Sequence, residues 1–192
     1  MFILGTRIRF KGFDQKLDQV PTLFVSNHQS MWDIPPVMWK LRKWRIKYIA
    51  KASLSRFIPS ISYNLRHGGS LSIDRKDREG SVEKIKEFAA FIQKNGFSIC
   101  IYPEGTRSRD GIVKQFKPSG IDAILEVLPD IQVVPVAIKN TGKIDNKGKF
   151  NKNRGIQTEF TMLPKRKLNR EKLTEELESI RQEIIAAINQ KP

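Results

Sequence analysis

Phe24-Val25-Ser26-Asn27-His28-Gln29-Ser30-Met31-Trp32-Asp33 passes from an apolar, β-rich run through a polar turn into a helical stretch. Its first part, with Thr22 and Leu23, reads as a short strand from Thr22 to Ser26. Working outward, similar runs recur at Lys47 to Ala50, Phe97 to Tyr102, Gln132 to Ile138 and Gln157 to Met162, each bounded by charged or turn residues. These predict strands of a buried sheet. Between them, apolar residues at helical spacing (Val82, Ile85, Phe88, Ala89, Ile92) stop at Asn95-Gly96, and a second set (Leu173, Leu177, Ile180, Ile184, Ile188) lies near the end. Strands alternating with helices predict an α/β class with layered architecture. The polar, basic stretch 139 to 155 reads as a long loop within one domain, because no repeat or linker divides residues 1–192.

A chain of 192 residues with 39% hydrophobic content can close one core, not two independent ones. Thirty-five Lys and Arg against 20 Asp and Glu give a net charge of +15, which no fold requires and which points to anionic partners: nucleic acid, an anionic membrane surface or phosphorylated substrates. No apolar stretch approaches the roughly 20 residues of a spanning helix, so no transmembrane helix is expected. One cysteine, Cys100, excludes an intramolecular disulfide, and the apolar part of the N-terminus is too short for a secretory signal. A reducing, cytoplasmic setting is the default expectation.

His28 is one of two histidines, and a strand-to-helix junction is where α/β proteins place catalytic side chains. Asp33 follows it by five residues, about 140° away on a regular helix, so the two cannot share one helix face. With His28 in the turn and Asp33 in the first helical turn, the carboxylate can reach back to one imidazole nitrogen and leave the other free to accept a proton. The alternative is a turn histidine beside a solvated first-turn carboxylate. A second segment, Pro103-Glu104-Gly105-Thr106-Arg107-Ser108-Arg109-Asp110-Gly111, follows an apolar strand and offers backbone N–H groups and guanidinium forks to an oxyanion such as phosphate. Its alternative is a charged turn in which Glu104 pairs with Arg107.

Asn27 to Asp33 and Tyr102 to Ser108 together resemble the paired motifs of the glycerolipid acyltransferase family. Ala50-Lys51-Ala52-Ser53-Leu54, Gly69-Ser70-Leu71-Ser72-Ile73-Asp74-Arg75, Phe116-Lys117-Pro118-Ser119-Gly120 and Val134-Pro135-Val136-Ala137-Ile138 are similar to its further blocks, so the likeness covers roughly residues 12 to 140. The resemblance implies a single acyltransferase domain with a mixed β-sheet flanked by helices. It also implies transfer of a fatty acyl group from acyl-CoA or acyl-ACP, as co-substrate, to the free hydroxyl of 1-acyl-glycerol-3-phosphate, making phosphatidic acid. His28 becomes the general base, Asp33 its orienting group, and Arg75, Glu104, Gly105, Thr106 and Arg107 the phosphate site. Glu104 would repel a phosphate and is expected to anchor an arginine. Lys51, Lys117 and Pro135 are possible supporting residues. No bound cofactor and no metal are implied, and two histidines with one cysteine spread this way make no zinc site. Implied partners are a lysophospholipid acceptor and an anionic membrane surface on the cytoplasmic side, met peripherally or monotopically.

Many relatives carry membrane-embedded helices ahead of the histidine, whereas 27 residues precede it here, and Arg7 to Gln19 is too charged to embed. A short member or a chain without that anchor is expected. Leu71-Ser72-Ile73 is more polar than the usual second block. The rival class is a non-enzymatic basic module binding membrane or nucleic acid through Lys40-Leu41-Arg42-Lys43-Trp44-Arg45-Ile46-Lys47, but such a module needs neither His28 with Asp33 nor a Gly-Thr-Arg turn, so no nucleic acid is expected. Alternative acceptors for the same chemistry are another lysophospholipid or glycerol-3-phosphate. Cys100 is expected to be core packing and His67 a turn residue. Ser30 and Ser108 lack a hydrolase elbow.

Overall fold

The β-branched and aromatic runs of the sequence pair into one eight-stranded mixed sheet. It is seen in a computed structural model that describes residues 2–3, 5–17, 21–52, 67–74, 76–108, 110–144 and 155–189. The strands are β1 (Phe2–Ile3), β2 (Thr6–Lys11), β3 (Thr22–Ser26), β4 (Ile46–Lys51), β5 (Leu71–Ile73), β6 (Ser98–Ile101), β7 (Gln132–Lys139) and β8 (Gln157–Met162), in the spatial order β1-β2-β8-β7-β3-β6-β4-β5. From β7 to β5 every pairing is parallel; β8 runs antiparallel to β7, β2 parallel to β8, and β1 antiparallel to β2.

The period of two along each strand sorts side chains onto the two faces of the sheet. Leu23 and Val25 of β3, Ile99 and Ile101 of β6 and Val133 of β7 face α2 (Arg78–Asn95), α3 (Ser119–Val127) and α4 (Leu173–Asn189). Phe24, Cys100, Tyr48, Val134, Val136 and Ile138 face the other way, against Val37 of α1 (Ile34–Lys40) and Leu41. The central strands are buried on both faces, which is why they read as continuous apolar runs.

All five strands expected from the sequence form, and β3 and β8 have the expected limits. Two further strands go beyond the sequence reading. Arg7 to Lys11, read only as too charged to embed, is strand β2: Ile8 and Phe10 turn inward while Arg7, Arg9 and Lys11 stay exposed, an alternation that suits a half-buried strand. Leu71–Ile73 is the edge strand β5, too short to announce itself. The stretch 139 to 155 begins with the end of β7 and a 3₁₀ turn at Thr141–Ile144; residues 145–154 lie outside the described residues. Cys100 is buried as expected.

β3 is the point where the connections diverge. Its own crossover through α1 leads to β4 on one side, and the crossover from β6 through α3 returns to β7 on the other. Such a divergence opens a crevice at the carboxyl ends of the strands. His28 follows β3, Tyr102 to Arg107 follow β6 and Asn140 follows β7, so all three loops meet there.

Candidate active site

Asn27 ties the histidine loop to the neighbouring strand. Its side-chain amide donates to the Ile138 carbonyl (2.9 Å), and its oxygen accepts from Ile138 N–H (2.7 Å). Ser26 Oγ donates to the Val136 carbonyl (2.7 Å), so the chain leaves β3 with a fixed exit direction. A 3₁₀ turn over Met31–Asp33 then leads into α1, capped reciprocally by Ser30 and Asp33.

That cap brings Asp33 back to His28. Asp33 Oδ2 lies 2.7 Å from His28 Nδ1 and accepts from the backbone N–H groups of Gln29 (2.8 Å) and Ser30 (3.0 Å). Asp33 is fully buried, so the solvated-carboxylate alternative does not hold. A carboxylate at Nδ1 requires that nitrogen to carry the proton, which leaves Nε2 as the acceptor. The histidine side chain is 17% exposed, enough to meet a ligand.

The loop after β6 clamps the histidine from the other side. Glu104, 2% exposed, accepts from His28 N–H through Oε1 (2.7 Å) and from Lys114 N–H through Oε2 (3.0 Å). Burial pushes its carboxyl above the usual range, against the opposing pull of the two N–H donors. Glu104 therefore anchors two backbone segments and, among the described residues, hydrogen-bonds no arginine, and a carboxylate so occupied is no phosphate ligand. Ser108 N–H donates to the His28 carbonyl (2.7 Å), completing the clamp.

Gly105 closes the turn with its N–H on the Tyr102 carbonyl (3.0 Å) and adopts φ 69°, where a side chain would be strained. Lys117 folds back over it: its N–H donates to the Pro103 carbonyl (3.0 Å), and its Nζ would lie 3.6 Å from a Cβ at Gly105. Thr106 is exposed and Arg107 half-buried. Lys51, at the end of β4, is exposed, and Pro135 lies buried in β7 opposite Val25, where it supports the sheet and not the site. Arg75 lies outside the described residues.

Beside this turn is a cavity of about 420 Å³. Ile49, Ile73, Val82, Ile85 and Ile101 form apolar walls, while Arg78 and Lys117 supply cations. His28 does not line it. Tyr102 does, and Tyr102 stacks on the imidazole with centroids 4.2 Å apart and planes 18° from parallel. The sequence reading assigned no role to Tyr102, Tyr48 or Arg78. A signal for Tyr102 existed in the register: Phe24 pairs with Cys100, so Ser26 and Tyr102 stand opposite and face the same way as His28 two residues further on.

A mixed α/β sheet with a His–Asp pair at its switch point, beside a Gly-Thr-Arg turn and a cavity with apolar walls and two cations, places the chain among layered α/β folds that carry a site at the carboxyl ends of their strands. The chain belongs to the Acyltransferase family, whose sequence profile matches residues 7–139. It is 34% identical over 139 residues to a chloroplastic 1-acyl-sn-glycerol-3-phosphate acyltransferase of Arabidopsis thaliana, covering 72% of this chain and 37% of that one. It is 30% identical over 141 residues to the enzyme of the same name from Cocos nucifera, covering 73% and 44%. The chain thus spans less than half the length of these relatives. The crystal structure of the 1-acyl-sn-glycerophosphate acyltransferase of Thermotoga maritima superposes with a TM-score of 0.75 over 98% of this chain and 75% of that one, at 23% identity, and shows the shared fold.

Proposed function

We propose that the chain transfers a fatty acyl group from a CoA or acyl-carrier-protein thioester to the free hydroxyl of 1-acyl-glycerol-3-phosphate, as the names of its relatives suggest. The observation that carries this reading is the buried Asp33 on His28 Nδ1, which leaves Nε2 able to take a proton. As the acceptor oxygen attacks the thioester carbonyl, its proton passes to Nε2. The tetrahedral intermediate then collapses, the C–S bond breaks, and the imidazolium returns the proton to the thiolate. No acyl-enzyme forms. General-base assistance of this kind contributes about 10² to 10⁴ in rate.

Arg107, with Thr106, holds the acceptor phosphate and Arg75 joins them, while Gly105, its N–H taken by the Tyr102 carbonyl, shapes the turn that presents Thr106 and Arg107. Lys117 over Gly105 adds positive charge, and Lys51 supports from the end of β4. Arg107 has no carboxylate partner among the described residues, so its guanidinium is available to a ligand. The apolar walls of the cavity beside Gly105 suit an acyl chain. Residues 1–192 act as one acyltransferase domain, with β8 and α4 completing the layers that the motif-bearing part begins. The reaction takes place at the cytoplasmic face of an anionic membrane, met peripherally.

Thiol release from acyl-CoA and from acyl-carrier protein, measured with lysophosphatidate, other lysophospholipids and glycerol-3-phosphate, tests the reading. The expected result is release with lysophosphatidate above the others. Release only with glycerol-3-phosphate would reassign the acceptor, and none with any pair would refute the activity.

A further inference from the structure

The π face beneath the catalytic imidazole has no part in the chemistry described so far. Tyr102 ends the strand-to-turn passage after β6, and its ring lies almost parallel to the His28 ring at 4.2 Å. Tyr48 of β4 stacks behind it at 6.2 Å and 14°. The imidazole thus tops a column of two phenol rings. The column cannot slide, because His28 N–H is held by Glu104 and the His28 carbonyl by Ser108 N–H, both from the segment that follows Tyr102.

We propose that Tyr102 is a positioning residue for His28, its ring face fixing the imidazole plane and stabilising the positive charge that the imidazole acquires as it takes the acceptor's proton. The proposal rests on the base role given to His28 above. Asp33 meets the imidazole only at Nδ1, in the ring plane. Developing charge is spread over the whole ring, and the negative quadrupole of an aromatic face within about 6 Å attracts it. The site is mostly shielded from water, which strengthens that attraction. Charged groups bonded to His28 are Asp33 from the turn before α1, on the ring, and Glu104 from the loop after β6, on the backbone N–H; Tyr48 of β4 and Cys100 of β6 lie beyond them, beside Tyr102.

The hydroxyl of Tyr102 offers a rival role. It is buried with no hydrogen-bond partner among the described residues, as are the Tyr48 hydroxyl and Asp33 Oδ1. Substitution separates face from hydroxyl. Tyr102→Phe keeps the face and drops the hydroxyl; Tyr102→Leu and Tyr102→Met drop both.

The experiment compares kcat and both KM values of wild type and the three variants, with the NMR positions of the His28 ring protons. Expected are a roughly tenfold fall in kcat for Leu and for Met with both KM values within about threefold, and rescue of that loss by Phe. The His28 ring protons should be shifted upfield by the ring current in wild type and Phe, and lose that shift in Leu and Met. Should the Leu variant not fold, the Met variant carries the comparison. Loss in Phe equal to that in Leu would overturn the proposal in favour of the hydroxyl. Unchanged kcat in Leu or Met, a loss carried by KM, or no ring-current shift in wild type would each overturn it outright. A wild type inactive with every acceptor refutes the base role and the proposal with it, whereas an active wild type with insensitive Tyr102 variants refutes the proposal alone.

Discussion

Glu104 illustrates how one side chain at the site can be read correctly as important and wrongly as to its part. Each of its two oxygens accepts one backbone N–H, from His28 and from Lys114, and the carboxylate is buried. Glutamine can satisfy only one of those donors and would turn its own NH₂ toward the other. Glu104→Gln should therefore lower stability by about 1–3 kcal/mol and, by loosening the His28 backbone, reduce kcat more than either KM. Denaturant unfolding and steady-state kinetics check both, and unchanged stability would remove Glu104 from the clamp. Arg107 differs, for its guanidinium has no internal carboxylate partner among the described residues. Arg107→Ala should raise the KM for a phosphorylated acceptor roughly tenfold to a hundredfold, as expected for losing a charge-assisted hydrogen bond of about 1.5–3 kcal/mol, while leaving the KM for the acyl donor nearly unmoved. Equal damage to both would place this arginine in the fold or at the donor.

Helix α4 lies beyond the stretch in which motifs could be recognised, yet it is bound firmly to the rest. Leu177, Ile180 and Ile184 are buried on the sheet. Arg170, in the turn before α4, reaches Asp122 (2.6 Å) and Glu126 (2.7 Å) on α3. Hydrogen bonds from Arg170 hold the Asp122 carboxyl below its usual range, and those from Lys86 and Arg170 do the same for Glu126. Carboxyls depressed on folding stabilise the native state above their unfolded values, and that contribution fades as pH falls through the folded ones. The melting temperature of wild type should exceed that of Arg170→Ala slightly at neutral pH, and the gap should close in acid. A gap that widens in acid would contradict the linkage. The apolar spacing of α4 was legible in the sequence because an amphipathic helix carries its signal locally, and the same holds for the doubly buried strands β3, β6 and β7. What escaped was non-local. β2 becomes intelligible only once β8 lies beside it, and the stack of Tyr102 on His28 depends on a register between strands 76 residues apart in sequence, as His28 and Glu104 are.

At the scale of the molecule, a net charge of +15 meets a sequence in which no helix among the described residues is long and apolar enough to cross a membrane. Basic residues from Lys40 to Lys47 are spread over several aromatic rings. Trp44 is half-buried, edge-on to Phe24 at 6.2 Å, while Arg45 and Lys47 lie over Phe97 and Lys40 over Phe10 and Phe13. Trp39 is 46% exposed with Arg42 over its ring, and Lys43 is exposed as well, so if the chain meets a membrane as proposed, Trp39 is the aromatic that would enter the headgroup layer. Binding to vesicles should rise with their anionic fraction, fall with salt, and weaken on charge reversal of Arg42 and Lys43, at about 1 kcal/mol for each basic residue held near the surface. Co-sedimentation indifferent to lipid charge and salt would contradict this. The pairing of His28 with Asp33 was legible because both residues lie within one strand-to-helix junction, whereas the cavity was not, since its walls come from β4, β5, β6 and the loop after it, α2 and the start of α3. The most direct test of the whole account is thiol release from acyl-CoA with lysophosphatidate by wild type, Asp33→Asn and His28→Ala. The account predicts a loss of about 10² to 10⁴ in kcat for His28→Ala with donor binding retained, and an intermediate loss for Asp33→Asn. More than about a tenth of the wild-type rate in His28→Ala would contradict it.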